Sequence, residues 1–556
     1  MQRIAILLIF IFAVISGATQ SFAQMELPTA TRPNNSGGEP ARPSVAPDQP
    51  ISAPLPPANA QLRQLIDQRL SAFVDRKPEQ DAVRVFYQER NFQPLWTGSP
   101  EADARGAAAI DFLRNVTTEG LDPQDYPTSD LSAASSDEDA AKRELQLTGS
   151  LLKYARHASS GRVAFTRVSG SILYPSQAVD PGDVLARLAE TQNVPDVLSS
   201  FEPQHPAFKA LKAELARALS GKAIDESPNK HHRDARADAR GRAELIDRII
   251  ANMERWRWLP RDLGAAYVMV NVPDYTLEVI DNGRPIWHAR IVVGKPGKLA
   301  TPLLTETMKY LTINPTWNVP PSIIRNEYLP ALERDPDALD RIGLKVAHNS
   351  DGSLRVYQPP GERNALGRIR FNFPNPFLVY QHDTPNKKLF ERSNRALSHG
   401  CMRVQNPEQY AEILLSLSQP EQGITAARIR SYYGDEERTI KLQNPIPVHV
   451  TYQTAFVEKG RLQLRPDIYG LDAAILKLMR GSERQIADRP ITRDYASSSK
   501  PVMARLPSHH RAREDRAAPY FAWDRGGSSW GHGFGPPVYG NPYAGGRPFD
   551  RAVGIW

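Results

Sequence analysis

A single cysteine, Cys401, stands among 556 residues, and that scarcity excludes a good deal. No intramolecular disulfide can form, so packing alone must hold the fold, and a zinc site built on clustered cysteines has no ligands. Long apolar runs are missing too. The longest, residues 4–15, covers about twelve positions, short of the roughly twenty that span a bilayer. With Arg3 before it and Ser21, Phe22 and Ala23 after it, residues 1–23 read as a secretory signal peptide, an uncleaved anchor being the alternative. No cysteine follows to take a lipid. A large excess of one charge is also lacking: 69 Lys and Arg against 62 Asp and Glu leave +7. That balance does not argue for nucleic acid, and in an exported, periplasmic chain the anionic envelope is the expected partner of the basic excess.

What is present is unevenly spread. The 48 prolines are densest in the flanks, and residues 24–60 show almost no apolar period, which predicts a disordered linker. From residue 61 the period becomes helical, through Leu62, Leu65, Ile66, Leu70, Phe73 and Val74, then 110–116, 145–155 and 208–219, with one helix expected to run to Pro94. An α-helical domain over 61–220 is expected. Residues 221–243 form a basic linker too short to bury a core. A helix restarts at Glu244, and the period then shifts to two over 267–272, 276–280, 286–293, 308–313, 354–357 and 377–381, with a hairpin turn at Asp281, Asn282 and Gly283. Residues 322–347 interrupt the strands with a helical pattern of their own, a candidate lid or a surface insertion. Trp317 and Tyr357 line a groove or fill core. Asn406 and Gln409 read as a capping box around Pro407. Strands at 439–442 and 448–452, a hairpin at Lys459 and Gly460, and a helix over 471–479 complete a domain spanning 244–480. Residues 481–556 lose all period and read as a disordered tail, basic and then rich in glycine and aromatics.

A lone thiol in an oxidising compartment is either a small buried hydrophobe or a working group. Its neighbours favour work. His399 and Gly400 precede Cys401 in a polar turn, and His382 follows the apolar run 377–380 nineteen positions upstream. An imidazole can take the proton of a thiol or hold it as an ion pair, and a glycine lets backbone N–H groups approach a carbonyl oxygen. Arg403 favours a thiolate or a substrate carboxylate, or is a solvated charge. Three zinc ligands from His382, His399 and Cys401, with Asp383 as fourth, are the other reading.

The histidine, the gap of fifteen residues and the run Ser398, His399, Gly400, Cys401, Met402, Arg403 resemble the active-site signature of the L,D-transpeptidases. Residues 86–96, 119–123, 151–163, 205–208 and 252–260 resemble the scaffold domain and junction of the large YcbB-type members. The resemblance implies an α+β protein, an N-terminal helical scaffold domain followed by a β-sandwich catalytic domain with a helical lid. It implies Cys401 as nucleophile, His382 as base, and an oxyanion pocket lined by His399, Gly400 and the Cys401 amide. Ser398, Arg403, Tyr380 and Trp317 are its expected substrate-side residues. The implied partners are peptidoglycan stem peptides, cross-linked through a thioester with release of D-alanine, and carbapenems as covalent inhibitors. No metal, organic cofactor or nucleic acid is implied. Water or a protein lysine as acceptor, and a non-catalytic wall-binding scaffold, are the alternatives. One departure stands out: large members carry a wall-binding module where residues 221–243 hold only the connector.

Overall fold

The computed structural model describes residues 55–221 and 235–492. The expected signal peptide, most of the linker after it, residues 222–234 of the basic linker and the tail beyond residue 492 lie outside the described residues.

The helical part begins at Pro57, inside the expected linker. Prolines open many of its helices, at Pro100–Arg114, Pro181–Glu190 and Pro206–Leu219, where a missing N–H costs nothing. Side chains of Ser99, Ser136 and Asp180 accept the first free amides. The long helix Asp137–Ser160 is the axis of this part, burying Leu145, Leu151, Tyr154 and Ala158. Its Gly149 meets the Phe73 backbone so closely that a Cβ would stand 2.1 Å from the carbonyl oxygen. Helix Lys77–Glu89 stops short of Pro94 because Asn91 and Phe92 turn to φ 50° and 54°. The freed amides of Leu95 and Trp96 reach buried Glu144 at 2.5 and 3.3 Å, and the Tyr87 hydroxyl reaches it at 2.7 Å.

Helix Ala235–Trp258 joins the two parts, starting within the expected linker and not at Glu244. Glu254 accepts the Val163 amide at 2.6 Å, and the Trp258 indole donates to the Val163 carbonyl at 2.9 Å. The scaffold also contributes strand β1 (Ile172–Leu173) to the sheet that follows. That sheet is built from β2 (Ala266–Asn271), β3 (Thr276–Asp281), β4 (Arg284–Gly294) and β5 (Leu303–Ile313). The insertion then supplies a small sheet of β6 (Trp317–Asn318), β7 (Lys345–His348) and β8 (Leu354–Gln358). The main sheet resumes with β9 (Ile369–Asn372), β10 (Gln381–His382), β11 (Ala396–Ser398), β12 (Met402–Val404) and β13 (Arg438–Thr451). A closing hairpin is β14 (Ala455–Glu458) with β15 (Arg461–Leu464).

Neighbours run β1-β5-β13-β2-β3-β4-β12-β10-β9, and β9 also pairs with β5. The expected sandwich is therefore one strand-rich sheet closed on itself, with β1 added at β5. Val268, Val279, Ile291, Leu304, Met308, Phe371 and Val450 fill its core. The insertion packs a separate core of Trp317, Ile324, Tyr328, Leu332, Leu339 and Val356.

Four expectations are corrected. The run 377–381 is a strand only from Gln381: the Asn375 side chain bonds the Phe377 amide and the Val379 carbonyl at 3.1 and 2.7 Å, and Leu378 turns to φ 56°. Segments 439–442 and 448–452 are one strand with a register shift between Lys441 and Ile446. Asn406 does not cap its helix; it takes φ 52° and makes no cap hydrogen bond. Residues 481–492 are ordered against the scaffold: Ala487 is buried, its carbonyl accepts the Ala164 amide at 2.8 Å, and Ile491 N donates to Thr166 at 2.9 Å. Charge pairing holds this segment, and charge pairing has no period to read.

Candidate active site

Strands β10 and β12 run parallel with His382 beside Arg403. The Met402 amide donates to the Tyr380 carbonyl at 3.1 Å. Cys401, one residue before β12, thus lies level with Tyr380, one residue before β10. On the other side β9 places Arg370 opposite His382, so Arg370, His382 and Arg403 form a row across three strands. The Arg370 guanidinium lies over the Tyr380 ring, 5.5 Å from its centroid.

The turn ahead of the thiol is tied at both ends. Ser398 Oγ accepts the Gly400 amide at 3.1 Å and donates to the Cys401 carbonyl at 2.6 Å. Thr301 Oγ1 donates to the Gly400 carbonyl at 2.8 Å. Gly400 has φ 117°, and a Cβ there would meet nothing nearer than 3.6 Å, so backbone conformation and not space demands glycine.

Burial decides protonation. It pushes the Cys401 thiol up to about 11, against hydrogen bonds from the Tyr380 backbone and hydroxyl and the charges of Arg403 and Arg370. Burial, then the Arg403 charge, lowers His382 to about 3, against bonds to the Asp383 and Leu366 carbonyls. At neutral pH both are uncharged. Because a carbonyl only accepts, the bond between His382 Nδ1 and the Asp383 carbonyl puts a proton on Nδ1 and orients the ring. Trp317 hydrogen-bonds the Tyr380 side chain, linking the insertion to the thiol's neighbour.

The eight residues expected to act on or bind a substrate, Trp317, Tyr380, His382, Ser398, His399, Gly400, Cys401 and Arg403, line one cavity of about 610 Å³, while Tyr357 does not line it. Their contacts differ from expectation in places. His399 Nε2 meets Glu327 Oε1 of the insertion at 3.0 Å, and the Gly400 amide is already held by Ser398. Asp383 turns to Lys387 and to the amides of Arg368 and Thr384 at 2.8 and 2.6 Å. Among the described residues no group of three His, Cys, Asp or Glu is arranged to hold a metal. Sequence reasoning missed Arg370, Thr301, Glu327 and Ser171, which comes from the scaffold to line the cavity. For Arg370 a signal existed, since Arg368 and Arg370 alternate with Ile369 and Phe371. For the other three the sequence offers none.

Residues 265–435 match the model of the L,D-transpeptidase catalytic domain family. The chain carries an L,D-transpeptidase catalytic domain. Ahead of it, residues 81–215 match the model described as a scaffold domain. A Haemophilus influenzae protein named "Putative L,D-transpeptidase" is 26% identical over 412 residues, 70% of this chain and 78% of that one. Among solved structures, an L,D-transpeptidase from Mycobacterium smegmatis overlaps 34% of this chain and 58% of its own, with 14% identity and a TM-score of 0.19. L,D-transpeptidase 1 of Mycobacterium tuberculosis overlaps 34% and 61%, with 15% identity and a TM-score of 0.15. We draw nothing from overlaps that low. No helix among the described residues is long and apolar enough to cross a membrane.

Proposed function

We propose that this chain is a peptidoglycan L,D-transpeptidase working through a Cys401 acyl-enzyme in the periplasm. One observation carries the reading: a half-buried thiol in the cavity is flanked by a neutral imidazole-bearing strand, the Tyr380 hydroxyl and the Arg403 charge. In the resting pair neither Cys401 nor His382 is ionised, so His382 acts as general base at the moment of attack and not as the partner of a standing thiolate. The sulfur attacks the carbonyl carbon before the terminal D-alanine while the thiol proton passes to the His382 imidazole. The oxyanion draws on the Cys401 amide; the Gly400 amide serves only if it leaves Ser398. The C–N bond then breaks, the His382 proton goes to the leaving amine, and a thioester remains. The side-chain amine of a second stem attacks it, forming the cross-link and returning the thiol.

Intact-protein mass spectrometry with a carbapenem, beside Cys401→Ala, tests the nucleophile: an adduct on the wild type alone is expected, and no adduct on folded, reduced protein would sink the reading. Stem-peptide products test the acceptor: dimer with free D-alanine is expected, and tripeptide alone would assign water instead.

A further inference from the structure

The cavity holds more positive charge than the thiol chemistry uses. Lys298, Arg325 and Arg403 line it, and the single carboxylate among its lining residues, Glu327, is engaged by His399 at 3.0 Å. Arg403 is buried beside the thiol, and Arg325 belongs to the insertion. Lys298, unlike the buried Arg403, is exposed at the cavity, and it makes no ion pair among the described residues.

Its backbone is fixed relative to the nucleophile. Lys298 sits in the short turn Gly297–Leu299. Past this turn, Thr301 Oγ1 accepts the Gly294 amide at 2.8 Å and donates to the Gly400 carbonyl at 2.8 Å, one residue from Cys401. The Tyr469 hydroxyl accepts the Thr301 amide at 3.2 Å and donates to the Gly294 carbonyl at 2.6 Å. Gly294 packs against Leu299 so tightly that a Cβ would stand 1.9 Å from the Leu299 carbonyl oxygen. The loop that carries Lys298 is thus clamped to the end of β4 and to the turn of the thiol. Only the lysine stem is free, and a compact ammonium on a flexible stem suits a carboxylate whose exact place varies between substrates.

We infer that Lys298 is a specificity-determining residue that receives a substrate carboxylate, so the site selects acidic peptides. The inference deepens the transpeptidase reading and takes its substrate from it. The donor or the acceptor peptide supplies the carboxylate.

The first test needs no turnover. Cys401 of the full mature chain is alkylated at low salt with iodoacetate and with iodoacetamide, which differ in one negative charge, and the ratio of rates is taken. Lys298→Gln is expected to lower the ratio about threefold, from the loss of one screened charge near the thiol, and Lys298→Arg to retain it. About 0.5 M salt should erase the difference. The iodoacetamide rate and circular dichroism report whether the variant is folded. A ratio equal in wild type and Lys298→Gln overturns the inference. The second test compares KM for stem peptides whose carboxylates are amidated first on the donor and then on the acceptor. Lys298→Gln should raise KM for the free acid several-fold more than for the amide of one of the two, and an equal rise throughout overturns the assignment. If no peptide is turned over at all, the transpeptidase reading fails, and the alkylation ratio still decides the role of Lys298.

Discussion

Two buried regions treat their titratable groups in opposite ways. Around Cys401, burial wins: thiol and imidazole stay neutral, at about 11 and about 3, although the Arg403 charge favours the thiolate. Where residues 484–488 dock on the scaffold, charge wins. Burial works against the Asp488 carboxylate, but His157, Arg156 and Arg76 outweigh it and hold the carboxyl far below its usual range. Arg76 and Arg156 approach Asp488 Oδ2 at 2.9 and 3.0 Å, and Arg484 and Arg162 close on Asp125 at 3.2 and 2.6 Å. The difference lies in partners. A carboxylate with several cations at hydrogen-bond distance recovers its hydration, whereas a thiol offered two hydrogen bonds and only the more distant charges of Arg403 and Arg370 does not. The first region keeps a proton ready to move; the second spends its charges on holding the C-terminal segment across both parts of the chain.

The sharpest way to break the comparison is at the nucleophile. Cys401→Ser should lower acyl transfer at least ~10³-fold, since a hydroxyl lacks the thiol's nucleophilicity, while the melting temperature holds near the wild-type value; rates by product chromatography and a thermal melt check both halves. Next is Asp488→Ala, which strands Arg76 and leaves Arg156 only Glu79 and Asp75. Removing one partner of a buried ion network should cost about 3–5 kcal/mol, read as a lower urea midpoint, with an unchanged midpoint showing that the docked segment contributes no stability. Tyr380→Phe removes a hydrogen bond that favours the thiolate. It should slow alkylation at fixed pH about tenfold, as bonds to charged groups are worth about 1.5–3 kcal/mol.

Two pH measurements sharpen the contrast further. The rate of Cys401 alkylation should climb with pH toward about 11 without an earlier plateau; a plateau below pH 7 would reveal a standing ion pair instead. For stability, His382 lies at about 3 in the fold against 6.5 when free. Between those values the unfolded chain holds the extra proton, so this contribution is complete above about pH 6.5 and is lost as pH falls toward 3. Equilibrium unfolding at pH 7 and pH 4.5 should show the loss, and His382→Asn should diminish it. The smallest effect is expected at the contact of His399 with Glu327, which is partly exposed: Glu327→Gln should change KM about threefold at most.

Much of this was legible beforehand, for definable reasons. Period-two segments gave β2, β3 and β4, and the Asn282 and Gly283 turn took the positive φ that their residue types allow. The run 377–380 misled because apolar residues that line a cavity look the same as those that fill a sheet; Leu378 is 44% exposed. The capping box at Asn406 misled because a residue pair states only what a side chain can bond, and the backbone there turned away.

By itself the sequence determined which groups are available: one thiol, the histidines at 382 and 399, a glycine where φ must be positive, and the helical and extended periods that separate the two parts. Those are local properties of residue type and spacing. Only the tertiary structure decided which groups face each other. Arg370 entered the row beside His382 through strand pairing, Thr301 reached Gly400 across 99 positions, and Asp488 found His157 across 331. The charge state of the thiol was settled there as well, because desolvation and the field of neighbouring cations depend on distance in space, and distance along the chain does not encode it.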